Sequence, residues 1–326
     1  MPRLSERLAL LLLAAVLLPG ATSAALARIP LAGLSHASAE SGNAVIIEAV
    51  RAPTPSNPNP PARALIGPTR PFYDGMQAIA LYGCADTPSM GALGSYSADD
   101  AAREVMRMAA QWDAVNGDRG AVGVLHLITA VAQPSPMSDG SYLGRVGSET
   151  ISRYVEAART HGLELILDVQ LGMADPLAEV RQLEPFLRES FVHLALDPEF
   201  AMQAKGGVPG DTIGSLDAAQ VNPVQRYLAS LVRQEQIPPK TLVLHQFRED
   251  MLTSTDAYID LPEVTRIVDM DGWGGQSAKL SNYEAYAMAA YSQRPAIKLF
   301  YDWDAPLLTA DQLMALPRVP DLVIYQ

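Results

Sequence analysis

Two rhythms of hydrophobic and polar positions alternate along the chain from about residue 72 onward. Short, nearly continuous apolar runs stand at 77–82 (QAIALY), 122–131 (VGVLHLITAV), 164–170 (ELILDVQ), 191–197 (FVHLALD), 241–247 (TLVLHQF), 264–271 (VTRIVDMD), 296–302 (AIKLFYD) and 321–326 (DLVIYQ). Runs of this length and uniformity suit strands covered on both faces. Between them, amphipathic stretches predict helices at 98–115, 148–161, 175–189, 218–236, 278–292 and 309–316. Several begin with capping residues: Ser97, Ser148-Glu149, Asp175-Pro176 and Thr309. The segment 247–264 carries no clear helical signal.

Eight strands interleaved with helices predict an α/β fold, the (β/α)8 TIM barrel, over 72–326. The competing arrangement is an open doubly wound sheet. Against it, no G-x-G-x-x-G follows the first strand, and polar residues end most strands instead of gathering at one switch point. The sequence stops at Gln326, directly after the eighth strand, so the eighth helix is expected to be lacking.

Ahead of the barrel, residues 28–71 read as a Pro-rich linker or arm, densest at 51–71 (RAPTPSNPNPPARALIGPTRP), which could lie over the place of that helix. Residues 1–27 combine Arg3 and Arg7, an apolar run from Leu8 to Leu18, and the small-residue endings Thr22-Ser23-Ala24 and Ala25-Leu26-Ala27. This is the pattern of a secretory signal peptide, with an uncleaved membrane anchor as the alternative. It predicts a secreted, periplasmic or cell-envelope protein with no membrane contact beyond the signal peptide.

The 326 residues carry a formal net charge of -12, which argues against a nucleic-acid partner. The single cysteine, Cys84, allows neither an internal disulfide nor a cysteine-based metal site.

Barrel enzymes place their chemistry at the C-terminal ends of the strands. Those ends supply Tyr82, Asp168, Gln170, Asp197, Glu199, His245, Gln246, Asp269, Asp271, Asp302 and Asp304. Side chains alternate across a strand. Leu163, Leu165 and Leu167 therefore oppose Ile166, Asp168 and Gln170, and Val192, Leu194 and Leu196 oppose His193, Ala195, Asp197 and Glu199. In the seventh strand Leu299, Tyr301 and Trp303 oppose Lys298, Phe300, Asp302 and Asp304. With the apolar side packed on helices, the acids face the mouth.

Paired carboxylates in such a mouth suit glycoside hydrolysis, one protonating the leaving oxygen and the other attacking the sugar or activating water. Glu199, Asp197, Asp269 and Asp271 are the catalytic candidates. Tyr82, Asp168, Gln170, His245, Gln246, Trp273, Asp302 and Asp304 are candidate substrate-binding residues, Trp273 as a ring for a sugar face. Trp303, on the outward side by alternation, is expected in the core. The loop 205–217 (KGGVPGDTIGSLD) suits a flexible wall over the cleft.

Two other classes stay open. A metal-dependent hydrolase would use His245 with several Asp, although the five histidines form no His-x-His or His-Glu-x-x-His pair, and His126 and His161 read as structural. No metal or other cofactor is expected. A non-catalytic carbohydrate-binding or cell-envelope barrel is the other class. No G-x-S-x-G is present for a serine hydrolase.

The stretch LALDPEF at 194–200 resembles the D-x-E strand endings of chitinase-like and family 25 lysozyme-like barrel glycosidases. That resemblance implies that Glu199 is the acid and Asp197 its support. Pro198 between the acids departs from the pattern, and His193 and Ala195 stand where the longer chitinase motif has further Asp residues. PGDTIGSLDAAQVNP at 209–223, with LVLHQFRED ending at Asp250, is also similar to parts of uncharacterised secreted or lipoprotein-like bacterial proteins, which implies no activity. Together these readings predict a secreted glycosidase acting on a polysaccharide or cell-envelope glycan by carboxylate acid–base catalysis.

Overall fold

The computed structural model describes Pro71 and residues 73–326. The expected signal peptide and nearly all of the Pro-rich arm lie outside the described residues. Eight parallel strands follow one another around a closed barrel: β1 Met76–Cys84, β2 Gly120–Ala132, β3 Glu164–Gly172, β4 Val192–Ala201, β5 Lys240–Gln246, β6 Val264–Met270, β7 Arg294–Leu299 and β8 Leu322–Tyr325. Each pairs with its successor, and β8 returns to β1 through Ala78 opposite Leu322 and Leu81 opposite Tyr325. This is the (β/α)8 barrel that the alternating runs predict.

The covering helices are α1 Ala98–Asp113, α2 Ser148–His161, α3 Pro176–Gln182, α4 Glu184–Leu187, α5 Ala218–Glu235, α6 Gln276–Asn282 and α7 Ala310–Met314. Three of the expected caps form, while at the expected start Ser148 the N-cap position falls on Gly147 and no side chain bonds there. Ser97 accepts from the Asp100 N–H, Asp175 from the Ala178 N–H, and Thr309 forms a capping box with Gln312. Where 175–189 predicts one helix there are two short ones, parted at Leu183, because Pro185 has no N–H to give to the Arg181 carbonyl oxygen four residues back. The predicted helix 278–292 begins two residues earlier as α6 and runs into a π-turn at Tyr283–Ala287. Between β5 and β6 there is no α-helix, only 3-10 turns at Glu249–Met251 and Thr255–Ala257 around the short strand Leu252–Thr253. No helix follows β8 among the described residues.

Two cores result from the alternation. Leu165, Leu167, Val192, Leu194, Leu196, Leu242 and Leu244 pack outward against helix residues such as Val105, Val155 and Leu228. Ala80, Val124, Ile166, Ala195, Val243, Ile267, Ala296 and Ile324 fill the interior. Every strand contributes to that inner layer, so the barrel is a packed floor and not a pore. The titratable side chains that share the inner parity must then stack above the floor.

At the opposite end of the barrel, His193 shares the parity of Asp197 but bonds Glu164, with Nε2 3.2 Å from Oε2. Its Nδ1 accepts the Thr241 N–H. This pair lies at the face that barrels use for stability.

Candidate active site

Tyr82, His126, Asp168, Asp197, His245, Asp269 and Lys298 come one each from β1 to β7 and are all buried. Asp271, just past β6, and Glu199 near the end of β4 complete the group and are less covered. Two breaks in strand pairing shape the group. In β2 the pairing with β3 slips between Ile128 and Ala130, and the Thr129 hydroxyl turns to donate to the Asp168 carbonyl oxygen. In β4 the pairing slips after Asp197, so that two residues of β3 span four of β4. The bulge starts at Pro198, which has no N–H to give to the ladder. Glu199 does not simply repeat the direction of Asp197: its backbone N–H donates to Asp197 Oδ1 at 2.9 Å.

Gly214 holds that bulge in place. Its N–H donates to the Glu199 carbonyl oxygen at 2.6 Å. A Cβ there would lie 2.5 Å from the carbonyl oxygens of both Pro198 and Ala201, so only glycine fits. The loop 205–217 is tied further by Lys205, whose Nζ contacts the carbonyl oxygens of Ile213 and Gly214 and the Asp250 carboxylate. Leu216–Asp217 also pairs with Leu252–Thr253, joining the loops after β4 and β5.

His245 stands at the centre. Its Nε2 lies 2.9 Å from Asp168 Oδ2. Its Nδ1 lies 3.0 Å from Asp269 Oδ2 and 3.3 Å from Asp271 Oδ2. Both nitrogens face acceptors, which is the hydrogen-bond pattern of an imidazolium donating twice. Burial and Lys298 work against that charge, but Asp168 and Asp269 outweigh them and hold the ring well above the usual histidine range. His126 behaves oppositely. Its Nε2 lies 3.0 Å from the same Asp168 oxygen, while its buried Nδ1 has no hydrogen-bond partner among the described residues. Burial lowers its pKa in spite of Asp168, so the neutral Nε2–H tautomer fits. Burial alone would raise Asp168, but the two imidazoles hold it well below the usual carboxylate range.

Lys298 is the second fixed cation. Its Nζ lies 2.9 Å from Asp271 Oδ1 and 3.8 Å from the centre of the Tyr82 ring. The negative charges of Asp271, Asp269 and Asp168 overcome the cost of burying it. The acids at the mouth are all shifted upward. Burial, then the charges of Asp197 and Asp271, push Glu199 well above the ordinary range. Burial pushes Asp197 up to about 7, opposed by His245. Asp271 is raised by burial, with Lys298 and His245 pulling it back. Crowded, buried carboxyls with raised pKa values are an arrangement that acid–base chemistry uses.

His126, Asp168 and His245 bring one possible ligand atom each within 4.8 Å of one another, as do His245, Asp269 and Asp271. His245 belongs to both sets, and both its nitrogens are spent on carboxylates. An ion there would have to displace its protons beside Lys298, so these hydrogen bonds account for the sets as they stand.

The remaining expected residues divide. Gln170 is buried and its Oε1 accepts the Ala132 N–H, closing the end of β2. Gln246 turns away from the cluster: its Oε1 accepts from the Tyr291 hydroxyl and its Nε2 donates to the Arg248 carbonyl oxygen. The seventh strand ends at Leu299 and not at 302, because Phe300 begins a turn closed by Asp304, so alternation no longer governs residues 300–304. Asp302 is exposed on that turn. Asp304 is buried and spent on Lys279 and on the N–H groups of Phe300 and Gly274. Trp273 is exposed at the rim.

Two central residues stand outside the expected set. His126, read as structural, shares inward parity with Val124 and Ile128, which is a usable signal. Lys298 also has inner parity, but a lone lysine in an apolar run gives no other sign of its role.

No protein-family model matches the chain, and no curated protein matches it. A solved structure to which it is similar, named "Family GH13_31 enzyme", is 12% identical, with a TM-score of 0.26, over 69% of this chain and 52% of that one. The matched region thus spans about half the length of that protein.

Proposed function

We propose that the barrel hydrolyses a glycosidic bond in a polysaccharide or cell-envelope glycan, in a secreted or cell-envelope setting. Glu199 is the general acid and Asp271 the ionised partner across the mouth that attacks the anomeric carbon or activates water. One observation carries this reading: Glu199 is driven toward its protonated form, while Asp271, itself raised by burial, is drawn back toward its charged form by contacts with Lys298 and His245. Asp197 supports the acid through its hydrogen bond with the Glu199 N–H and through its own charge. His245, held between Asp168 and Asp269, orients Asp271, and the neutral His126 supports Asp168.

The test is a screen of cell-wall and storage glycans with the wild-type chain, Glu199→Gln and Asp271→Asn. Hydrolysis by the wild type, lost by at least about a thousandfold in each variant with the fold intact, is the expected outcome. Unchanged rates in Glu199→Gln would remove the acid from this residue. Tight binding without turnover in the wild type would make the barrel a carbohydrate-binding module.

A further inference from the structure

We propose that Trp273 and Trp303 form an aromatic subsite for the apolar face of a pyranose ring, built at the rim beside Asp271 and fixed by a buried Lys279–Asp304 pair. The choice of a sugar rests on the glycosidase reading; the existence of a built aromatic platform does not.

Trp273 is 40% exposed, one of the few large apolar side chains so placed. Its ring centre lies 6.4 Å from that of Trp303, with the planes inclined at 58°. Trp303, which alternation assigns to the core, instead lies in the turn after β7 and stacks on Phe300 at 5.5 Å and 26°. The Phe300 ring lies 5.7 Å from Lys298 Nζ, the cation that holds Asp271. A run of rings therefore connects solvent to the charged floor on the side of β6 and β7, the strands that deliver Asp271 and Lys298.

The platform is anchored from below. Asp304 accepts the Gly274 N–H from one loop and the Phe300 N–H from the other, each at 2.9 Å. Its Oδ2 is 2.8 Å from Lys279 Nζ, and both side chains are almost fully buried. Lys279 Nζ also donates to the Gly272 carbonyl oxygen at 2.6 Å and lies 4.9 Å from the Phe300 ring centre. One ion pair thus ties the backbone on both sides of Trp273 and the turn that carries Trp303. Breaking it would leave a buried charge, so the arrangement is expensive to disturb. An indole held in place before binding loses little entropy when a ligand stacks on it.

The chemistry selects the ligand. A broad apolar ring beside crowded carboxylates suits a neutral molecule with one C–H face and hydroxyl edges, which is a pyranose. The same acids and the net charge of -12 repel phosphate-bearing ligands.

Fluorescence gives a direct test. The chain has three tryptophans, and the third, Trp112, is buried in α1 with its Nε1 hydrogen-bonded to the Tyr325 hydroxyl. Glu199→Gln, which removes turnover, is titrated with chitohexaose, cellohexaose and maltohexaose. A saturable change in emission with at least one of them is expected. Adding Trp273→Ala should weaken that binding about tenfold or more. Trp273 is exposed, so this variant keeps its core. Asp304→Asn should weaken binding as well, and if it does not fold, Trp273→Ala decides alone. Absence of any saturable change with all three, or equal affinity in Trp273→Ala, overturns the subsite. A glycan cleaved by the wild type with unchanged KM in Trp273→Ala removes the subsite and leaves the catalytic reading intact. Binding without cleavage leaves the subsite and removes the catalysis.

Discussion

Lys298 Nζ lies 2.9 Å from Asp271 Oδ1 with both side chains withdrawn from water, so the lysine sets the direction of the acid and favours its charged form against burial. The same ammonium also lies against the rings of Tyr82 and Phe300. Replacing it by methionine keeps the length and removes the charge. Lys298→Met should lower kcat about a hundredfold on the cleaved glycan, with KM little changed, because the lost interaction serves the reacting charge. Steady-state kinetics check this, with circular dichroism as the control for folding. A KM effect alone would make Lys298 a binding residue.

His245 should remain doubly protonated well above the usual histidine range. In a proton–nitrogen correlation spectrum, its two ring nitrogens should both carry protons at about pH 8, well past the ordinary histidine value, while His126 should show one. Asp168→Asn removes a carboxylate partner and should bring the His245 titration down. Zinc added to chelator-treated protein should leave these resonances and Tm unchanged. A stoichiometric rise in Tm with loss of the ring protons would show a metal centre instead.

Asp197 links stability to pH. Its folded pKa, about 7, lies above the ordinary value of 3.8, so the folded state binds its proton more tightly than the unfolded chain. That contribution is complete below about pH 4 and is lost as pH rises through about 7. Asp168, shifted the other way, contributes stability that is present above the ordinary carboxylate value and lost only in acid, so it is constant in this window. Asp197→Asn should flatten the fall in Tm between about pH 4 and about pH 7 relative to the wild type. Equal slopes in thermal melts of the two proteins would contradict the assignment.

Gly214→Ala should move the bulge that carries Glu199. The added methyl cannot coexist with the carbonyl oxygens of Pro198 and Ala201, so the backbone must shift. A displacement of about 1 Å at a catalytic group can cost about a hundredfold in rate. The variant should lose activity to that extent while its far-ultraviolet spectrum stays that of the wild type. Full activity would show that the loop does not set the position of Glu199.

Local pattern along the chain is enough to specify the barrel, its two cores and the side to which most acids point. Those follow from period-two alternation and from caps such as Ser97, Asp175 and Thr309, which depend only on neighbours in sequence. Asp168, Asp197, His245, Asp269 and Asp271 are legible as a group for the same reason, and Tyr82 by its place at the end of β1.

Contacts that exist only in the folded chain, some between near neighbours and some between distant loops, set the features that alternation cannot reach. Strand β7 ends early because Asp304, four residues ahead, captures the Phe300 N–H, and this removes Asp302 and Asp304 from the mouth. Gln246 finds its acceptor and donor partners away from the cluster, on Tyr291 and Arg248. The bulge at Pro198 re-aims Glu199, and its support comes from Gly214 in a different loop. Protonation is also beyond the sequence. His126 and His245 share one carboxylate oxygen yet differ in charge, neutral against cationic, because only His245 has acids on both nitrogens and only the folded barrel brings those acids to it.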